Sequence, residues 1–489
     1  MNRFLVTAAL VTAIGGAATA GPPPTDAAVT HLLNRIAFGP RPADVERVRA
    51  IGIDRYVDEQ LHPERIRDDA MADRLANLAT VRLSAQEIVE TIERPQIEAR
   101  RERKANGAEE TATGAPPPRE PMQQRSASLV EELAEQKILR AVYSERQLQE
   151  VLADFWFNHF NVDSRKGRDR FFVTAYERDA IRPHVLGRFR DLLGATAKSP
   201  AMLFYLDNWM SADPAGPHPE PRAPNDLRRR FGPRPFPGPS TVARAQPQPQ
   251  NQARKGLNEN YARELMELHT IGVDGGYTQK DVTEVARAFT GWTIENPRQG
   301  GGFVFNARLH DTGQKVVLGH VIKAGGGESD GEQVLDILAK HPSTARFIAT
   351  KLVRRFVSDT PPRSLVDRAA KAFHGSNGDV REVMRTILAS REFWSSEAQT
   401  AKVKSPFEFL VSALRAAGVE SVEARPLVRD LQQMGMPLYT CQPPTGYKDT
   451  ADTWMNTGAL VNRINVALRL AGGDQALAER LGAPEFQKR

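Results

Sequence analysis

One stretch constrains the chain more than any other. Gly256 to Trp292 reads as helix, tight turn, helix, and it is denser in ionisable and polar side chains than any other periodic segment. Asn258 is placed to cap a helix running through Glu259, Tyr261, Arg263, Glu264, Leu265, Glu267 and on to His269, since its short side chain accepts from an otherwise orphaned backbone N–H. Gly272 stops that helix in the left-handed conformation most residues resist. Gly275 and Gly276 turn the chain, and Thr278 with Asp281 forms the capping-box pattern that opens a second helix. Val282, Val285, Ala286 and Phe289 give the second helix one apolar face, and Gly291 ends it.

The same period recurs before and after. Val29, Leu32, Leu33 and Ile36 share a face behind Asp26, and Phe38-Gly39-Pro40 breaks the run. Helical patterns continue from Leu83 to about Arg103 and from Ser128 to Val142. They go on through LQEVLADFWFNHF behind Ser144 and Gln147, around Arg178–Ala197, and from Ser199 to Asn208. After Trp292 the period shortens. Phe303-Val304-Phe305 and Val316-Val317-Leu318, joined across His310-Asp311-Thr312-Gly313, predict a β-hairpin. Helices then resume to Leu468. Two segments lack periodicity, 106–125 and 212–254, and both are rich in Pro and Arg. The predicted fold is mainly α: one multi-helix globular domain over 26–470 with one small β-hairpin and two Pro/Arg-rich inserts.

Arg3, the short apolar run Phe4–Ala18 and the small residues Ala18-Thr19-Ala20 read as a secretory signal of 20 residues, cleaved after Ala20. A lone cysteine, Cys441, fits an oxidising compartment in which the chain forms no internal disulfide. The expected location is periplasmic or secreted. The net charge is +6, and between Ser211 and Gly256 eight Arg/Lys face three Asp/Glu. The basic excess therefore sits in one segment, whereas a nucleic-acid-binding body carries its basic stripe on folded elements.

Several motifs together carry a family resemblance. They are His31-Leu32-Leu33-Asn34-Arg35 with Phe38-Gly39-Pro40, and Phe155-Trp156-Phe157-Asn158-His159-Phe160. Asn258 to Gly276, Ala286 to Trp292, and His310-Asp311 with Lys315 and Leu318-Gly319 continue the series. It closes with Pro443-Pro444, Gly446-Tyr447 and Trp454-Met455-Asn456. The chain resembles the exported bacterial proteins of the domain of unknown function 1800 family, from about His31 to Leu470. Tyr447 stands where the pattern has tryptophan. The resemblance implies a helical fold and export; it brings no reaction with it.

The candidate chemistry comes from the residues themselves. Glu259, Arg263 and Glu267 share one helix face at i, i+4, i+8, with Glu264 one position round; this is either a surface ion-pair ladder or a carboxylate cluster tuned by Arg263. His269 lies some 200° from Glu267 about the helix axis, so the two cannot share a ligand through one helix. His159 falls on an apolar stripe beside Trp156 and Asn158, where a satisfied core histidine is the competing reading. Asp311 has a turn explanation but His310 does not. Glu264, Glu267, His159 and His310 are the candidate catalytic groups. Asn158, Trp156, Asn258, Glu259, Arg263, His269, Asp311 and Trp292 are candidate binding groups. The sharpest expectation is that the two carboxylates and Arg263 converge with His159 and His310.

Gly327-Glu328-Ser329-Asp330-Gly331 matches a nucleophile elbow by letter, but no doubly wound sheet surrounds it, and a helix cap at Ser329 or Asp330 explains the letters. Phosphate-loop, dinucleotide and Cys-x-x-Cys patterns are absent. The sequence leaves cofactors, including any metal, open. Two classes of function stay open: a hydrolase-like exported enzyme working on a surface polymer or glycan, or a non-catalytic binding or assembly protein. The partner is correspondingly a surface polysaccharide or another protein. An open pocket lined by these groups points to the first, a sealed and mutually satisfied network to the second.

Overall fold

The structure is a computed structural model that describes residues 25–105, 121–217 and 256–489. The expected leader and most of both inserts lie outside the described residues. The first insert is shorter than the sequence suggested at its C-terminal side, because a helix begins at Pro121.

Eight elements position the site: α1 (Asp26–Ile36), α2 (Gln147–His159), α3 (Glu259–Glu267), α4 (Gln279–Ala288), the strand pair β1 (Trp292–Ile294) and β2 (Phe303–Phe305), and, further on, β3 (Lys315–Val317) with β4 (His320–Ile322). Three later helices complete the frame: α5 (Ser329–Lys340), α6 (Pro342–Phe356) and α7 (Pro406–Ala416). The buried apolar residues form one contiguous cluster from Val29 to Leu481, with a small satellite around Ile88, Leu129 and Phe171. Among the described residues no helix is long and apolar enough to cross a membrane.

α1 buries its predicted face completely. The break after it has a packing reason as well as a turn reason. Gly39 has φ +101°, and a Cβ there would lie 2.8 Å from Cβ of Ser412, so α7 rests directly on the glycine. Arg415 of α7 then donates to the carbonyls of Gly39 (2.9 Å) and Val142 (2.7 Å) and pairs with the buried Asp44. The conspicuous N-terminal motif is thus a structural anchor. His31 bonds the Phe393 carbonyl at 2.8 Å, and Arg35 reaches the carbonyl of Ala398.

α3 and α4 form as their sequence dictates. Asn258 Oδ1 accepts from Tyr261 N at 3.1 Å, and Thr278 with Asp281 makes both bonds of the capping box. Val282, Val285, Ala286 and Phe289 are buried. α3 ends at Glu267, two residues before His269, since the His269 and Leu268 amides both turn back to the Glu264 carbonyl. Gly272 has φ +80°, and a Cβ on it would meet the Phe347 ring at 3.0 Å. This close approach seats α6 against the end of α3. Lys351, one turn beyond Phe347, is thereby carried to His159 and His269.

The predicted hairpin is replaced by two pairs. β1 pairs with β2, and β3 with β4, each antiparallel. Residues 310–313 cannot form a hairpin tip because His310 and Asp311 are drawn inward by Thr290 and Arg287. The turn lies instead at Leu318-Gly319, both left-handed (φ +49° and +80°), the two-residue geometry that matches strand twist. Elsewhere, the helix expected around Arg178–Ala197 is split by a π turn at Tyr176–Ile181, and regular helix resumes at Phe189. Ser144 does not box the start of α2; its hydroxyl goes to Asp68, while Gln147 bonds back to the Ser144 carbonyl.

Candidate functional site

α2 is the element on which the site is built. It is buried on nearly every side, so its last turn can expose a polar group only where a neighbour leaves a gap. That gap is a cleft of about 300 Å³ between α2, α6 and the loop from Thr445 to Trp454. Asn158 and His159 line it from α2, Lys351, Arg354 and Arg355 from α6, and Tyr447, Lys448, Asp449 and Trp454 from the loop.

Asn158 holds the loop in place. Its Nδ2 donates to the Tyr447 carbonyl (2.8 Å) and its Oδ1 accepts from the Tyr447 amide (2.7 Å). Gly446 packs so tightly here that a Cβ would fall 2.2 Å from the Asn158 carbonyl. The phenol of Tyr447 donates to the Pro437 carbonyl at 2.9 Å, and its ring lies 5.9 Å from that of Trp454. Tyrosine therefore keeps an aromatic wall where the family pattern has tryptophan.

His159 has both ring nitrogens engaged. Nε2 faces the His269 carbonyl at 3.1 Å, and Nδ1 faces Lys351 Nζ at 2.8 Å. A carbonyl oxygen can only accept, so Nε2 carries the hydrogen and Nδ1 presents its lone pair to the lysine. Burial, and then the Lys351 charge, hold His159 well below the usual histidine range, so the ring is neutral. Burial likewise lowers His269 to about 3. Lys351 is pushed down to about 8, first by burial and then by the neighbouring Arg354. The result is a half-buried amine, hydrogen-bonded to a neutral imidazole and titrating near physiological pH, at the floor of an open cleft. Shifts of this kind cluster at working sites.

The other sequence candidates fall into separate groups. His310 is sealed: Nδ1 meets the Thr290 carbonyl at 2.8 Å, and Nε2 meets Asp330 Oδ2 at 3.1 Å. Asp330 also takes the buried Lys315 Nζ at 2.7 Å. Asp311 pairs with Arg287 at 2.7 Å, and Arg287 with Glu284 at 2.9 Å. This is an enclosed internal network in which Asp330 Oδ1 is left without a hydrogen-bond partner, and it accounts for the Gly-x-Ser-x-Gly letters. Asp330 is its anion, and Ser329 is the first residue of α5, its hydroxyl on the Gly326 carbonyl; neither caps the helix.

The carboxylates of α3 join neither histidine. Glu267 accepts from the Tyr277 hydroxyl at 3.0 Å. Glu264 is held above the usual carboxylate range by burial and by Glu267, and its charge is felt by Tyr205 and Tyr277. The ring nitrogens of His159 and His310 are committed to other partners, and neither carboxylate shares a hydrogen bond or ion pair with them among the described residues. Glu259 and Arg263 bond opposite ends of Gln279 on α4 at 2.8 Å each, so these two residues of the expected ladder stitch the two helices together. Trp156 and Trp292 are fully buried core residues. Asn258 is a cap that also bonds the Leu206 carbonyl.

Lys351 is the residue the sequence did not single out. Its only local sign is Lys351, Arg354 and Arg355 at i, i+3, i+4 beside the apolar face of α6. Among the described residues no group of three or more His, Cys, Asp or Glu side chains forms a metal cluster.

The fold and cleft define a class: a helical protein whose open polar site is carried by a buried central helix. The chain belongs to the family described as protein of unknown function (DUF1800), whose sequence model matches residues 31–488. No curated protein and no solved structure matches it.

Proposed function

We propose that the protein is an exported, hydrolase-like enzyme acting on a surface polymer or glycan, with Lys351 as its proton-transfer group. The observation that carries this reading is the Lys351–His159 contact at the floor of an open cleft. A lysine lowered to about 8 is partly unprotonated near neutrality and still a competent base. The neutral amine takes a proton from the attacking water as the scissile bond accepts the oxygen, and the resulting ammonium returns it to the leaving group. His159 is a positioning residue. It accepts a Lys351 N–H through Nδ1 and does not take up the proton, since its buried ring resists charge. Asn158 fixes the loop that closes the far wall.

The test is hydrolysis of ester- and glycoside-containing surface polymers by wild type and Lys351→Met. The rate of the wild type should rise with pH to a plateau above about 8, and the variant should lose the activity while staying folded. Full activity in Lys351→Met would overturn the reading. The alternative, a non-catalytic binding or assembly protein, is supported by the sealed His310–Asp330–Lys315 network, which spends all but Asp330 Oδ1 of its polar groups internally.

A further inference from the structure

The charges around the cleft do not balance, and the imbalance identifies the ligand. Four cations line it, Lys351, Arg354, Arg355 and Lys448, against two carboxylates, Asp154 and Asp449. Both carboxylates are taken from behind. Asp154 pairs with Lys137 at 2.7 Å, and Asp449 pairs with Arg489 at 3.0 Å and Lys402 at 3.2 Å. Arg355 is spent on the buried Glu408 at 2.7 Å. Three cations remain. Lys351 is hydrogen-bonded to a neutral imidazole and feels Asp449 electrostatically without an ion pair to it. Lys448 feels Asp452 electrostatically but forms no ion pair with it. Arg354 is half-buried, its Nε has no hydrogen-bond acceptor, and no carboxylate partner faces it among the described residues.

Two like charges one helical turn apart, both partly removed from water, repel each other and cost stability unless an anion lies between them. The loop wall is aromatic: the half-buried Tyr447 ring, backed by the buried Trp454, is of the kind on which sugar rings stack, and the buried Phe155 adds to the lining from α2. The volume suits one or two rings, at the lower end of small-ligand pockets.

We propose that the cleft binds an acidic glycan, with Arg354 and Lys448 holding the anionic substituent and the Tyr447–Trp454 wall carrying the ring. This rests on the cleft being the working site, as argued above. A guanidinium takes a carboxylate or sulfate in a fork, and Lys448 at the rim adds a point charge. The substituent would then lie beside Lys351, where it would also raise that amine's basicity.

The experiment measures binding to the folded protein of a galacturonate oligosaccharide, a sulfated oligosaccharide, a neutral galactose oligosaccharide and adenosine monophosphate. Both acidic-sugar arms belong to the proposal, and their ratio tells carboxylate from sulfate. At least one acidic sugar should bind tenfold or more tighter than the neutral one. Arg354→Gln should lose about tenfold for the acidic sugar, leave the neutral one unchanged, and move the Lys351 titration upward, a readout that mere unfolding would not give. Equal affinity for acidic and neutral sugars, or preference for the nucleotide, overturns the proposal, as does an unaltered acidic-sugar affinity in Arg354→Gln. Competitive acylation of Lys351 against pH, read by mass spectrometry, separates the two claims. An ordinary lysine titration with acidic-sugar binding intact removes the enzyme reading alone. A low titration with no acidic-sugar binding removes this proposal alone.

Discussion

At Lys351 the proposed function and stability pull in opposite directions. Its folded pKa, about 8, lies below the usual lysine value, so the unfolded chain binds the proton more tightly. The destabilisation is complete below about pH 8 and fades as pH rises toward the unfolded value. Lys351→Met should therefore raise stability at pH 7, by about 1–2 kcal/mol once solvent at the cleft mouth is allowed for, while abolishing activity. Chemical denaturation of both proteins at pH 7 checks this; a clear loss of stability would show that the lysine is a structural partner of His159. Asp330 is the opposite case. Its carboxylate is buried between Lys315 and His310, and Asp330→Asn leaves the buried Lys315 ammonium with Asp311 at 3.8 Å as its remaining carboxylate, at a cost of about 3 kcal/mol. The sequence told these two polar sets apart poorly. His310 drew attention because no local rule explained it, yet its explanation is Asp330, 20 residues on. Lys351 drew none, because its partner is 192 residues away and its own helix gives a basic residue an ordinary place.

Among the elements, what the sequence showed well was whatever is settled within a few residues. The Asn258 cap, the Thr278–Asp281 box and the apolar face of α4 are local, and they stand as read. The strand pairing is not local. Phe303–Phe305 takes Trp292–Ile294 because Thr290 and Arg287 pull the following segment inward, and no period in the sequence records that pull. The loop that walls the cleft depends on the same kind of distant contact and offers a sharp comparison. Gly446 has φ +69° and sits against the Asn158 carbonyl, so Gly446→Ala meets both strain and a clash. Gly319 has φ +80° with nothing near its missing Cβ, so Gly319→Ala meets strain alone. Gly319→Ala should cost about 1 kcal/mol and leave the cleft unaltered; Gly446→Ala should cost more and displace Tyr447. Thermal melts with the acidic-sugar probe separate them, and equal effects on binding would mean that the Asn158 clamp does not shape the wall.

For the whole molecule, the buried histidines govern the response to acid. His31 is lowered to about 4, chiefly by burial and then by Arg35; His269 is lowered to about 3; and His159 is lowered well below its usual range. A histidine kept neutral by the fold binds fewer protons there than in the unfolded chain. Its contribution is therefore intact above about pH 6.5 and is lost as pH falls toward the folded value, at roughly 1.4 kcal/mol per unit. Three together give about 4 kcal/mol per unit between pH 6 and 4. Asp169 works the other way. Burial raises it to about 9, both its oxygens lack partners, and the unfolded chain gives up that proton first, so its effect weakens the fold as pH rises from about 4 to 9. Subtracting it leaves roughly 3 kcal/mol per unit of net loss on acidification. Against a total stability of about 5–15 kcal/mol, the protein should unfold within about two to five units below pH 6.5. Denaturant midpoints at pH 7.5, 6.5, 5.5 and 4.5 should fall steeply over the last three. His159→Gln should flatten the fall by about half, and Asp169→Asn should gain on the wild type progressively from pH 5 to 8. A midpoint that stays level from 6.5 to 5 would mean that the folded protein protonates these rings, and the neutral Nδ1 acceptor assigned to His159, and with it the support for Lys351, would have to be abandoned.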